Sequence, residues 1–263
     1  MNLATLKLSV DAHVATITLN RPDVRNAFNE TVIEELTGAF RALATNDDVR
    51  VVVLAAEGVA FCAGADLNWM KKMAGYSDAE NRADAMTLAV MLNTIYRCPK
   101  PVIARVQGDT YAGGVGLAAV ADIVVAVDTA HFCLSEAKLG LMPATIGPYV
   151  IRALGEAASR RYFLTAERFT ASTAQRHGLV HEVVTADALD STVQALAKAL
   201  ADNSPNAVKE CKRLVQDFAG RAIDDETIAE TADRIATIRA SDEGREGVQS
   251  FLEKRSPSWR EVS

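Results

Sequence analysis

No apolar stretch of the 263-residue chain approaches the ~18 uninterrupted residues that a membrane-spanning helix needs. The first residues, MNLATLKLSV, lack a basic stretch followed by an apolar one. They also lack the Arg- and Ser-rich character of a transit peptide, so the chain reads as cytoplasmic. Cysteine is scarce: Cys62, Cys98, Cys133 and Cys211 form no C-x-x-C pair. That pattern excludes a disulfide framework and fits four thiols in a reducing compartment. Positive charge is in deficit, with 28 Lys and Arg against 34 Asp and Glu, a net −6. Phosphate contacts dominate nucleic-acid affinity, so an acidic chain is a poor candidate for that partner. An anionic small ligand would need a local basic contact. Internal repeats and low-complexity linkers are also missing.

What remains is an ordinary globular composition, 49% apolar and 24% charged. Residues 5 to 10 and His13 to Leu19 alternate, with Asp11 in the turn between them, which predicts a β-hairpin. Asn29 is placed to cap a helix carrying Val32, Ile33, Leu36, Phe40 and Leu43 on one face. Arg50 to Ala55, Pro101 to Val106 and Ile123 to Val127 are short β-branched runs of the kind covered on both faces. A Gly/Ala-rich loop spans Gly58 to Asp66, and a glycine-rich one spans Gly108 to Gly116, with a short helix from Leu117 to Ala121. Residues 50 to 127 therefore read as alternating βαβ units. From Gly147 onward helical periodicity dominates, with one short strand near Leu179 to Val184. The predicted division is a core over 1–195 and a helical C-terminal region over 196–263. That region reads as a cover on the core, an oligomer-forming layer, or both.

Several chemistries fail on context. Gly114-Val-Gly116-Leu-Ala-Ala119 fits G-x-G-x-x-A, but Gln107 to Gly113 separate it from the preceding strand, too far for a dinucleotide turn. His177 and His181 are four apart without an H-E-x-x-H pattern, and no G-x-S-x-G elbow exists, so neither a metal site nor a Ser–His–Asp hydrolase is predicted. Two small-residue loops are more promising. Phe61-Cys-Ala-Gly-Ala-Asp66 and Gly108-Asp-Thr-Tyr-Ala-Gly-Gly-Val-Gly116 each follow a buried strand and run into a helix start. Unpaired N–H groups there can converge on one oxygen as an oxyanion hole. The same pattern also describes two tight strand-to-helix turns. Glu136 lies in a largely apolar run, where partial burial would lift its pKa toward a range useful for proton transfer. An exposed Glu beside Lys138 fits that spacing equally well.

The chain resembles the enoyl-CoA hydratase/isomerase superfamily, the crotonase fold, over essentially its whole length. The resemblance rests on Leu19-Asn-Arg-Pro-Asp-Val-Arg-Asn-Ala-Phe28, Phe61-Cys-Ala-Gly-Ala-Asp-Leu67, Lys100-Pro-Val-Ile-Ala104, Ala112-Gly-Gly-Val-Gly-Leu-Ala118, Asp122-Ile, Ser135-Glu-Ala-Lys-Leu-Gly-Leu-Met-Pro143 and the tail Glu243 to Pro257, in that order. It implies an α/β spiral of ββα units with a helical C-terminal trimerisation region, assembled as a homotrimer or dimer of trimers. It implies a coenzyme A thioester as substrate, with no metal and no separate cofactor. By the same resemblance the N–H groups of Ala65 and Gly113 match the oxyanion hole, and Glu136 matches an acid/base carboxylate. Arg25, Asn26, Ala27, Ala63, Asp66 and Gly114 match positions along the coenzyme A, with Arg25 the local basic contact. Phe251 and Lys254 match tail residues that reach it, often from a neighbouring subunit, although Lys254 also reads as a solvated basic turn.

Two departures matter. Two-glutamate hydratases carry Glu where this chain has Gly116, and Ala112 stands where a third Gly is common. One acid/base carboxylate therefore remains, as in Δ3,Δ2-enoyl-CoA isomerases. Asp66-Leu-Asn-Trp-Met70, Pro143 to Arg152 and Arg161 to Arg168 resemble bacterial 3-methylglutaconyl-CoA and carboxygeranoyl-type glutaconyl-CoA hydratases, which serve leucine and acyclic-terpene breakdown and also lack that first Glu. The expected function is hydration of such a branched enoyl-CoA. The alternatives are an isomerase using Glu136 alone and a non-catalytic acyl-CoA- or RNA-binding protein, the last disfavoured by the charge. Arg82, Lys71, Lys72 and Arg152 are candidate partners for a distal substrate carboxylate, although solvation at the surface is the better reading of each. Trp69 and Tyr149 are candidate acyl-pocket residues, and ordinary helix packing accounts for them equally well.

Overall fold

The computed structural model describes residues 3–260. Strands β1 (Leu6–Asp11) and β2 (Val14–Leu19) form the expected hairpin, with Leu6 opposite Leu19. Asp11 is not in its turn: it ends β1 opposite Val14. The turn is Ala12-His13, with φ of 44° and 66°. Two positive φ values match the twist of the flanking strands, which selects this two-residue connection. Asn29 caps α1 (Glu30–Ala44), its side chain accepting the Val32 N–H at 3.1 Å. Val32, Ile33, Leu36, Phe40 and Leu43 are buried on one face of that helix.

Next come β3 (Val51–Ala56), β4 (Ala60–Cys62), α2 (Leu67–Met73) and α3 (Asp78–Tyr96). They are followed by β5 (Val102–Val106), β6 (Asp109–Tyr111) and α4 (Gly113–Ala119). Then come β7 (Ile123–Val127), β8 (His131–Cys133), a 3₁₀ turn over Glu136–Leu139, α5 (Gly147–Leu154) and α6 (Glu156–Thr165). Strand β9 (Arg168–Thr170), α7 (Ala171–Arg176) and β10 (Glu182–Val184) complete the core. The first strand of each repeat joins a six-stranded sheet, in the order β1-β2-β3-β5-β7-β10. The second joins a four-stranded sheet, β4-β6-β8-β9.

The unit is therefore ββα, as the resemblance implied, and the βαβ alternation predicted for residues 50 to 127 from pattern alone lacks the second strand of each unit. The three-residue strands of the small sheet are too short for a period of two to show. The glycine-rich segment is corrected too: it contains β6, and α4 begins at Gly113 rather than Leu117. Glycine is a poor helix former, but here close packing demands it. A Cβ on Gly113 would meet the Phe28 ring at 2.4 Å, and one on Gly114 would meet the Cys62 carbonyl oxygen at 2.5 Å.

All six residues of β3 are buried, as are four of the five in β5 and four of the five in β7, the pattern of parallel strands covered on both faces. Helix α8 (Leu189–Ala201) lays Leu189, Val193, Ala197 and Ala201 against β3, β5 and β7. The division expected at residue 195 falls inside this helix. Beyond it, α9 (Pro205–Phe218), α10 (Asp225–Ala240) and α11 (Asp242–Glu253) pack on one another. Lys212 ties α9 to the core through the Asp122 carboxylate at 2.6 Å. Val215, Ile228, Ile235, Phe251 and Leu252 are exposed on this layer. Among the described residues no helix is long and apolar enough to cross a membrane.

Candidate functional site

Strands β4, β6 and β8 are neighbours and parallel, so the loops leaving their C-terminal ends emerge side by side. Such an edge is where open parallel sheets bind ligands. The three loops carry Ala65, Gly113 and Glu136.

The first loop is fixed by Phe28, whose N–H donates to the Gly64 carbonyl and whose carbonyl accepts the Asp66 N–H, both at 2.8 Å. This bridge flanks Ala65 and leaves its own N–H facing away. In the second loop Gly113 opens α4, so its N–H has no partner within the helix. No acceptor among the described residues takes either N–H. A Cβ on Gly64 would lie 3.7 Å from the Gly113 nitrogen, so the two loops touch. The turn between β6 and α4 is made by Ala112 at φ 48°, ψ −120°. Glycine enters that region freely and alanine only under strain. The Ala112 N–H donates to the Cys133 carbonyl at 2.7 Å, which locks the second loop to the strand leading into the third.

Glu136 begins the 3₁₀ turn after β8 and is half-buried. Its Oε2 atom is buried with no hydrogen-bond partner among the described residues. Burial pushes the carboxyl above its ordinary value, and a hydrogen bond from its own backbone N–H opposes this only in part. The arrangement offers two free N–H donors and one carboxyl poised to gain or lose a proton. That combination stabilises an oxyanion while a proton is moved nearby.

At Gly116 a Cβ would lie 2.1 Å from Cγ2 and 2.7 Å from Cβ of Ile146. The position of a second carboxylate is thus walled by an apolar side chain. Pattern reading missed Ile146 because its importance lies in a contact 30 residues away in the chain. It missed Phe28, which positions Ala65, for the same reason.

The residues expected along a coenzyme A divide into groups. Arg25 is exposed in the left-handed region, at φ 52°, and makes no ion pair among the described residues. The Asn26 side chain is internal. Its Oδ1 accepts the Arg21 N–H at 2.9 Å, and its Nδ2 donates to the carbonyls of Glu57 and Ala60 at 2.7 and 2.9 Å. Ala27 is buried, and its carbonyl accepts from the Arg21 guanidinium. The Ala63 N–H donates to the Arg25 carbonyl at 3.0 Å.

Asp66 is also committed internally. It caps α2 through the N–H groups of Asn68 and Trp69 and pairs with Arg21 at 2.8 Å. Burial alone would raise its pKa, but Arg21 and those N–H groups outweigh it and hold the carboxylate below its usual range. Gly114 is buried inside α4, so the G-x-G-x-x-A segment is helix and not a dinucleotide turn. Phe251 is 82% exposed and Lys254 follows the end of α11, so one chain does not group them with the three loops.

Trp69 is 4% exposed and donates to Asp84 at 3.1 Å, a core position. The Tyr149 ring lies 5.2 Å from that of Tyr96, tilted by 57°, and the Tyr96 hydroxyl accepts from Arg152 at 3.2 Å. Lys72 pairs with Glu30. His181 accepts the Val124 N–H on Nδ1 at 3.0 Å, a structural role. No group of three or more His, Cys, Asp and Glu that could hold a metal occurs among the described residues.

The family described as enoyl-CoA hydratase/isomerase matches residues 9–262. The 2,3-dehydroadipyl-CoA hydratase of Escherichia coli is 33% identical over 98% of this chain and 99% of its own length. A crystal structure of an enoyl-CoA hydratase from Shewanella pealeana is 43% identical with a TM-score of 0.95, covering 98% of this chain and 96% of that one. Pseudomonas aeruginosa AtuE is 34% identical with a TM-score of 0.94, covering 98% and 100%.

Proposed function

The chain belongs to the enoyl-CoA hydratase/isomerase family, and from that premise we propose that it adds water across the α,β double bond of an acyl-CoA thioester. The observation that carries this reading is the half-buried Glu136 carboxyl on a loop that leaves the same sheet edge as two loops with unpartnered N–H donors. Ala65 and Gly113 donate to the thioester oxygen as it gains charge. Glu136 takes a proton from water as the water oxygen bonds to C3, and the double-bond electrons move onto the thioester oxygen. The same carboxyl then returns the proton to C2, so one water is added and the enzyme ends as it began. Coenzyme A enters as part of the substrate.

The acyl group we propose is branched and carboxylated, of the 3-methylglutaconyl type found in leucine breakdown. The name of the E. coli relative, whose acyl group carries a second carboxylate, supports this. The exposed apolar residues on α9 to α11 support assembly with further copies, which we propose is a trimer in which Phe251 and Lys254 would serve a neighbouring subunit's coenzyme A. One observation favours a second reading. With Ile146 against Gly116, a single carboxyl can also shuttle a proton between C4 and C2 of a 3-enoyl-CoA.

A mass-spectrometric panel of 3-methylglutaconyl-CoA, a straight 2-enoyl-CoA and a 3-enoyl-CoA decides between them. Gain of one water on the first substrate, lost in Glu136→Gln, is expected. A moved double bond at constant mass would replace hydration by isomerisation.

A further inference from the structure

We propose that Ile146 is a specificity-determining residue that confines proton transfer to Glu136, so that simple straight-chain enoyl-CoA substrates are poor ones. The inference rests on the reading above and deepens it. Gly116 is three residues beyond Gly113, one helical turn along α4, and it is buried. A group there would stand beside the oxyanion donors. Ile146 is 2% exposed and occupies that volume with its Cβ and Cγ2, the stiff root of a β-branched side chain rather than a flexible tip. Its backbone is fixed as well, because its carbonyl accepts the first bonds of α5, from Tyr149 and Val150 at 3.1 and 3.0 Å.

Glycine at 116 and isoleucine at 146 are therefore one unit: each leaves the other room for nothing else. The consequence is chemical. With Ile146 filling that volume, α4 brings no carboxyl toward a water approaching C3. Only Glu136 can hold it, receive its proton and return that proton to C2. A substrate that brings its own polar group near C3 supplies the missing hold on water, whereas a plain alkyl chain does not.

The test compares Gly116→Glu, Ile146→Ala, the double variant Gly116→Glu/Ile146→Ala and the control Gly116→Gln/Ile146→Ala. Thermal melting is read first and needs no turnover. Gly116→Glu should melt well below the natural protein, and the added Ile146→Ala should recover part of that loss. Next, the double variant should hydrate a straight 2-enoyl-CoA at least about tenfold faster than the natural protein, in line with the value of one added acid/base group. Its kcat should gain a second ionisation in the pH profile, and the Gln control should show neither change. The proposal is overturned if Gly116→Glu melts like the natural protein, or if Glu and Gln at 116 behave alike. Failure of the natural protein to act on any enoyl-CoA would instead defeat the hydratase reading and leave the melting result standing.

Discussion

Replacing Asn26 separates an architectural role from a ligand-binding one. Asn26 is 2% exposed, and its side chain makes three hydrogen bonds that join Arg21 to the carbonyls of Glu57 and Ala60. Removing it leaves the Arg21 N–H and the Glu57 carbonyl without that partner, whereas the Ala60 carbonyl keeps a bond from Gln107 at 3.0 Å, so the loss is about 1 kcal/mol for each of two groups, or about 2 kcal/mol together. Asn26 also sits at φ 54°, where alanine costs about 1 kcal/mol more than asparagine or glycine. Asn26→Ala should therefore lose about 3 kcal/mol. For a chain of this size that is a fall of about 6 °C in Tm, at roughly 2 °C per kcal/mol. Asn26→Gly should lose less, because it breaks the same bonds without the backbone strain. The assay is thermal unfolding at fixed protein concentration, with kcat/KM measured well below the lower Tm. An Asn26→Ala Tm within about 2 °C of the natural protein, accompanied by a large rise in KM, would refute this and restore Asn26 as a ligand group.

Glu136→Gln should cost 10²- to 10⁴-fold in turnover. Because burial raises the folded-state pKa of Glu136, the folded chain binds more protons than the unfolded one just above the ordinary carboxyl range. Stability should fall as pH rises through that window, and denaturant titrations against pH should show the variant free of this loss and more stable above it. Ala112→Gly should relieve the strained φ 48°, ψ −120° turn and raise stability by about 1 kcal/mol net of glycine's entropy, read as a Tm about 2 °C higher. Lys212→Ala should cost about 3 kcal/mol by leaving Asp122 half-buried and unpaired, and Lys212→Met/Asp122→Asn should recover part of it, both measured by urea unfolding.

Elements with a strong period were legible before any coordinates. The Asn29 cap and the apolar face of α1 stand where the pattern puts them, as do the long strands β3, β5 and β7 and the helices of the C-terminal half. The small sheet was not legible, since three residues such as Ala60 to Cys62 carry too little pattern to separate from loop. The start of α4 was hidden by its own glycines. Their reason is the Phe28 ring, the Cys62 carbonyl and Ile146, none near in sequence. At the site, Glu136 was visible as a carboxylate in apolar company. Asn26 and Asp66 were visible as positions, but their inward hydrogen bonds were not, because an Asx side chain caps, clasps or binds ligands with the same atoms.

On the function proposed above, the three loops distribute the chemistry between two kinds of atom. Two of them contribute peptide nitrogens and the third a side chain. The genetic code reaches these differently. Any codon but proline's encodes an amide hydrogen, so nearly every missense change at Ala65 or Gly113 leaves the donor in existence and can only displace it. A single missense change at Glu136, by contrast, abolishes or alters the proton carrier outright. Heritable variation in such a protein is therefore lopsided. The donors of the proposed hold on the thioester persist through such changes, though any Cβ at Gly113 would push that donor aside against Phe28, while the fate of the proton lies within one nucleotide substitution of something new.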